Sequence, residues 1–464
     1  MNAARALFLT TALFMLAFAA HAAGVSLPPH ERVELANGAV LLLSEKHDVP
    51  LIGLEAIVRG GAVSDPEGLD GVASLLSELM QHGAGKRDAA AFAEAIAAVG
   101  GELSASAGLE GIFVSADFMS RDAELMIELV TDLLTRPTLA PDEFSKLRDR
   151  SINLIKAAKG SDPGELLPAY GNGFLFGKHP YGNPVDGSES TLANITHEKL
   201  LQYYEDQVGG DRLIISVVGN FNTVAMKARL TKAFGEWRPA AMPLPEPAAP
   251  ARQTGRRVLL IDKPGATQSY FWIGNIGVAA DYPKRADLDL ANTVFGGRFT
   301  SMLNTEMRVK TGLTYGARSI MQRPSRPGAL VISSSTETGT TVEAIDMALK
   351  ILGRLRDSGV NKDTLGSARN YIMGQFPPRL ETAPQLAGQF AMLEQYGLDV
   401  AYINDYGTAL SAATSDTVAA AIAEVYPSPD NLSFIVIGDA GLIREDISQY
   451  GPVSEMSIKE PRFR

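Results

Sequence analysis

The sequence predicts an α+β fold of two homologous units, each a mainly antiparallel or mixed sheet covered by helices. Three observations carry this. Residues 237–256 are rich in Pro and Ala, with Pro239, Pro243, Pro245, Pro247 and Pro250; such a run has little means of forming a core and reads as an extended linker. The parts on either side are of similar size and repeat one order of strands and helices. Several helical patterns separate the strands, and each strand shows some alternation, which suits helices on one face of a sheet better than a doubly wound parallel sheet.

The first part opens on the alternating stretch 51–59 (LIGLEAIVR), then Gly60-Gly61 and the acidic turn Asp65-Pro66-Glu67-Gly68. Apolar periodicity predicts helices over 71–80 and 89–99, a strand over 112–117, helices over 121–134 and 142–158, and a closing strand over 212–218 before Gly219. The second part opens with a strand over 268–274 and a helix over 284–294. After Gly296-Gly297 come a helix over 301–310, a strand over 329–333, helices over 341–357, 362–375 and about 382–395, and a closing strand over 432–437 before Gly438. Leu54 to Gly219 spans 165 positions and Tyr270 to Gly438 spans 168, so order and spacing both indicate duplication.

Residues 1–22 read as a secretory leader: Arg5, an apolar run from Leu7 to Phe18, and Ala20-His21-Ala22 as the small-x-small cleavage pattern. The run is shorter than the roughly 20 residues that cross a bilayer, so no stable membrane insertion is expected. The expected domains are therefore a signal peptide at 1–22, an α+β domain at 23–238, a linker at 239–255 and a homologous domain at 256–464. There is no cysteine, which excludes disulfides, thiolate metal sites and cysteine nucleophiles. The formal charge of -11 becomes -12 once Arg5 leaves with the leader, an acidic balance that argues against a general nucleic-acid partner.

Residues 49–83, VPLIGLEAIVRGGAVSDPEGLDGVASLLSELMQHG, resemble the N-terminal region of the pitrilysin-like, or insulinase-type, zinc peptidases of family M16. The resemblance continues through Gly177-Lys178-His179-Pro180-Tyr181-Gly182, Tyr203-Tyr204 and 211–220. It resumes at Gly296-Gly297-Arg298-Phe299, Asn304, Arg308 and Gly312-Leu313-Thr314-Tyr315-Gly316, and ends over 430–439. It covers nearly all of the mature chain. It implies two homologous α+β units per chain, with two such chains, or a fused pair, enclosing a peptide-binding chamber.

The departure from the family is equally specific. Active members carry His-x-x-Glu-His on a helix, two imidazoles and a general base around a zinc-bound water. Here Ser74 stands at the first ligand position, Ser77 at the base position and Glu78 at the second ligand position. The distal acidic ligand falls in 152–156, INLIK, which offers no carboxylate. Glu78 and His82, four apart, share a helical face at most as two ligands, while catalytic zinc takes three from protein. His82 reads as an exposed residue near the helix end and His179 as a structural loop residue. Ser74 and Ser77 lack the Gly-x-Ser-x-Gly or Ser-x-x-Lys context of a nucleophile, and Gly83-Ala84-Gly85-Lys86 lacks full phosphate-loop spacing. This chain is expected to bind no cofactor, and zinc is expected in a catalytic partner.

Arg308 and Tyr315 are the remaining candidates. Arg308 falls on the helix after Phe299, and Tyr315 begins an extended stretch after the Gly312 turn. The resemblance implies that this pair reaches across the chamber to hold substrate beside the partner's zinc, where a guanidinium orients carbonyl oxygens and a phenol donates to a developing oxyanion. The expected function is thus a non-catalytic, substrate-binding subunit of a heteromeric zinc peptidase, no enzyme by itself, paired with a catalytic homologue and exported, preferably to a bacterial periplasm, with peptide or unfolded protein as substrate. The alternatives are an independent peptide-binding or chaperone-like protein and a purely structural assembly subunit.

Overall fold

In a computed structural model, which describes residues 26–464, all the strands but a short hairpin at 83–88 form two six-stranded sheets. The leader expected at 1–22 lies outside the described residues. The first unit supplies β1 (Glu31–Glu34), β2 (Val40–Glu45), β3 (Leu51–Arg59), β4 (Glu102–Ala107), β5 (Gly111–Met119) and β6 (Leu213–Gly219), in the order β1-β2-β6-β3-β5-β4. The second supplies β7 (Arg257–Asp262), β8 (Gln268–Ile276), β9 (Ala317–Met321), β10 (Ala329–Glu337), β11 (Ser433–Gly438) and β12 (Val453–Ser457), in the order β12-β7-β11-β8-β10-β9. The orders coincide position by position. In both, the inner pair is parallel (β2 with β6, β7 with β11), and the central strand is antiparallel to both neighbours. The copies differ at one edge: β1 runs antiparallel to β2, whereas β12, from the chain's other end, runs parallel to β7.

Six helices matter for the site: α1 (Val72–Leu79), α2 (Pro141–Gly160), α3 (Leu167–Phe176), α4 (Thr341–Ser358), α5 (Lys362–Gln375) and α6 (Ala383–Gln395). The expectation of helices on one face needs correcting, because both faces of both sheets are covered. In the first sheet, Leu41, Leu43, Leu54, Ala56, Ile215 and Val217 face the unit's own helices. The alternate residues Val40, Leu42, Ile57, Ile214 and Val218 pack on Leu386, Phe390 and Leu393 of α6, which belongs to the second unit. The second sheet repeats this. Val258, Leu260, Phe271, Ile273 and Val436 face its own helices, while Leu259, Ile261, Trp272, Ile435 and Ile437 join the core that holds α3 of the first unit. Each unit thus lends a helix to the other.

Glycine permits both crossings. A Cβ on Gly53 of β3 would lie 2.4 Å from Pro384 N at the start of α6, and one on Gly171 of α3 would lie 2.7 Å from the Trp272 ring. The first clash is with backbone, which no rotamer change relieves.

Residues 239–255 contain no helix or strand. Most side chains from Ala241 to Glu246 are exposed, but the segment is tied down: Arg212 donates to Met242 O (2.6 Å), Arg326 to Pro247 O (3.0 Å) and His179 to Ala248 O (2.8 Å). Limited proteolysis with mass mapping is expected to cut first near Pro245 and to spare Leu213–Gly219, which is buried along its whole length. Early cuts within that strand would overturn the boundary.

Candidate functional site

The three positions that the resemblance assigns to a metal site, Ser74, Ser77 and Glu78, lie on α1. Its start is fixed by Asp65, whose carboxylate accepts from Gly71 N (2.7 Å) and Ala73 N (3.2 Å). Burial pushes this carboxyl well above its ordinary range, against the opposing pull of those two hydrogen bonds. Gly71 has φ 95°, and a Cβ there would meet the Gly187 backbone at 2.7 Å. That close approach brings the loop carrying Asp186 against the helix.

Each candidate side chain on α1 is already engaged. Ser74 Oγ donates to Asp186 Oδ1 (3.0 Å). Ser77 is buried and its Oγ donates back to Ser74 O (2.9 Å), so the hydroxyl serves its own helix. Glu78 Oε1 is 3.2 Å from Arg150 Nη1 of α2. The sequence placed no acid near 152–156; the structure places a cation one turn earlier, facing the one carboxylate left. Two hydroxyls and an ion-paired carboxylate do not fit zinc, which takes three nitrogen, sulfur or carboxylate ligands at a catalytic site. Among the described residues, no three His, Cys, Asp or Glu side chains converge as a metal site.

Two smaller expectations are corrected. His82 does not share a helical face with Glu78, because α1 ends at Leu79. Nor is it a free surface residue, since its Nδ1 lies 2.9 Å from Glu143 Oε2 on α2. His179 is a loop residue: its Nδ1 accepts from Tyr181 N (3.1 Å) while Nε2 donates to Ala248 O. Arg150, Glu143 and Asp186 were missed as partners. The packing of α2 and of the Asp186 loop against α1 that brings these partners in has no local sequence signal.

Arg308 and Tyr315 sit on the second unit, and the helix expected over 301–310 is irregular. Met302–Asn304 is α-helical, and Thr305–Lys310 widens into a π turn, matching a second π turn at Thr293–Gly297. Such widened turns frequently mark functional sites. Arg308 stacks over the Phe299 ring at 5.0 Å, and Phe299 is itself 60% exposed. Tyr315 lies in the loop before β9 rather than in a strand, and is 87% exposed. Neither side chain makes an ion pair or hydrogen bond to another described residue, while their neighbour Glu306 is shared by Lys310 and Arg354. The edge strands differ as well. On β9, Ala317 N donates to Asn304 Oδ1 (3.3 Å) and Ser319 O accepts from Asn292 Nδ2 (3.4 Å), so side chains occupy that edge. On β4, Ala105 O accepts from Gln81 (2.8 Å), and among the described residues no further strand pairs there.

Two family models match the chain, insulinase (peptidase family M16) over residues 40–184 and peptidase M16 inactive domain over residues 194–372. The chain belongs to peptidase family M16. Among similar M16 relatives, an uncharacterized zinc protease of Streptomyces coelicolor is 25% identical over 380 residues, 81% of this chain and 82% of that protein. A protein of Helicobacter pylori described as a non-peptidase homolog is 23% identical over 363 residues, 76% of this chain and 81% of its own. A crystal structure described as a peptidase M16 inactive domain from Pseudomonas fluorescens superposes with a TM-score of 0.82 at 22% identity, covering 88% of this chain and 98% of that one. Those descriptions differ on activity. By the resemblance described above, Ser74, Ser77 and Glu78 would stand where members with the zinc motif carry it.

Proposed function

We propose that the chain is the non-catalytic, substrate-binding subunit of a heteromeric zinc metallopeptidase in a bacterial periplasm, closing the chamber of a catalytic homologue and holding extended peptide there. The observation that carries this reading is a contrast between the two units. Every side chain at the former metal positions is engaged within the chain, whereas Arg308 and Tyr315 stand exposed without partners. A scaffold alone gives no reason to keep a guanidinium at a π turn and a phenol in the loop that follows it both exposed and without an ion pair or hydrogen bond. Peptide backbone can add to the outer edge of β4, which demands little of side-chain sequence. No described helix is long and apolar enough to cross a membrane, in keeping with an exported subunit rather than a spanning one.

The mature chain, purified alone, is expected to contain no stoichiometric zinc and to hydrolyse neither peptides nor small unfolded proteins. Ser74→His alone should restore nothing, because the second imidazole, the base and the distal carboxylate are still missing. Elemental analysis finding one tightly held zinc, with chelator-sensitive hydrolysis by the isolated chain, would overturn the reading. Mixed with a homologue carrying His-x-x-Glu-His, the chain should co-elute and permit turnover. Peptide binding without any such association would favour an independent peptide-binding protein, and association without peptide contact would favour a structural subunit.

A further inference from the structure

A groove of about 670 Å³ lies between the two units beside the Arg308 turn. It is lined by the part of the second sheet that carries β9 and β10, where Arg318 stands opposite Ser333, and Tyr270 of β8 stands opposite Ser335. The turn Gly297-Arg298-Phe299 contributes from the second unit, and Asp162 and Glu165 from the first.

The charges in this groove are sorted by unit. Arg298 and Arg318 line it, and Arg308 stacks on Phe299, which lines it too. None of these three guanidiniums has a carboxylate partner among the described residues. Arg298 Nη1 reaches Ser367 Oγ (3.0 Å), and its Nε is buried without a hydrogen-bond partner. On the opposite side, Asp162 is committed to Gly164 N (3.1 Å). An acidic chain that pairs many of its arginines thus leaves three unpaired around one hydroxyl-lined groove.

We propose that this groove selects acidic peptide segments and that Arg318 is its specificity-determining residue. The proposal rests on the reading of the chain as a peptide-holding subunit and adds the substrate class. An Asp or Glu side chain from an extended peptide would meet the planar fork of Arg318, which matches a carboxylate with two parallel hydrogen bonds, with the Ser333 hydroxyl beside it. A Lys or Arg at that point would meet the like charge of Arg318. Exposed ion pairs are individually weak and screened by salt, so an acidic peptide should bind about 5-fold tighter than its amide counterpart at low ionic strength, and less so in high salt.

The test is fluorescence anisotropy on the full mature chain with three labelled peptides that differ only in carrying Glu, Gln or Lys at two central positions. The Glu peptide should bind tightest and the Lys peptide weakest. Arg318→Gln should bring the Glu and Gln peptides to within about 2-fold, and Arg318→Glu should reverse the order with thermal stability unchanged. Equal binding of the Glu and Gln peptides, or a preference that survives Arg318→Glu, overturns the proposal while leaving peptide holding intact. Competition by inorganic phosphate at concentrations as low as those of peptide would mark a free-anion site and overturn it too. Failure of all three peptides to bind removes the peptide-holding reading itself.

Discussion

Tyr315→Phe in the assembled peptidase is expected to lower kcat/KM by about 30- to 1000-fold while the complex still forms. The substitution removes one hydroxyl and keeps the ring. In the isolated chain that hydroxyl bonds to no described residue and the side chain is 87% exposed, so its loss should leave the fold of this chain undisturbed. If the hydroxyl donates to an oxyanion at the partner's zinc, its removal costs about 2–4 kcal/mol in the transition state. Arg308→Ala should act in the same direction and also weaken substrate binding, since it removes a fixed set of donors. Steady-state kinetics beside a complex-formation assay separates the roles: a raised KM with unchanged kcat means ground-state holding, and a fall in kcat means transition-state contact. Wild-type turnover by the double variant in an intact complex would remove this pair from the mechanism.

Phe390→Ala is expected to destabilise the whole chain by about 3–5 kcal/mol, as large-to-small changes of buried aromatics do. Phe390 is 2% exposed and packs against His30 with ring centroids 4.5 Å apart and tilted by 40°, in the core that joins α6 to the first sheet. Because α6 belongs to one unit and the sheet to the other, the loss should move unfolding of both units together. Gly53→Val tests the same seam from the opposite side by driving a side chain into the Pro384 backbone. Urea denaturation followed by tryptophan fluorescence and circular dichroism should give coincident transitions, shifted to lower urea in each variant. Separate transitions, with only one displaced, would mean that the lent helices do not couple the units.

Much of the duplication was legible in the sequence, and the reasons are local. The stretch 51–59 is apolar except at Glu55 and Arg59 and is bounded by Pro50 and Gly60-Gly61, and β3 spans Leu51–Arg59 as expected. The helix at Lys362–Gln375 also falls where periodicity puts it. The flanking strands were not legible. Val40–Glu45 (VLLLSE) is apolar on both faces and gives no alternation, while Glu102–Ala107 (ELSASA) is an edge strand of small and polar residues with no apolar signal. Ser74, Ser77 and Glu78 could be placed on a helix from sequence, but not what they touch. The distances from Ser74 to Asp186 and from Glu78 to Arg150 in sequence are closed only by tertiary packing. Likewise, Arg318 reads as an ordinary strand residue until the register sets it opposite Ser333 in the groove that Arg298 also lines.

The exchange of α3 and α6 also sets an order of events for a chain made from its N-terminus. The first sheet has all its strands once Gly219 has emerged, yet the apolar row Val40, Leu42, Ile57, Ile214 and Val218 stays bare until residues up to Gln395 follow. For the span of roughly 175 residues between those points, the nascent protein presents an uncovered sheet face of the kind that recruits holding chaperones or sticks to its neighbours. A stalled or truncated product ending in the linker should therefore be insoluble even though it contains every strand of its own unit. Neither half can be inherited, expressed or degraded as a finished module, and this binds two copies of an ancestral domain into one obligate folding unit.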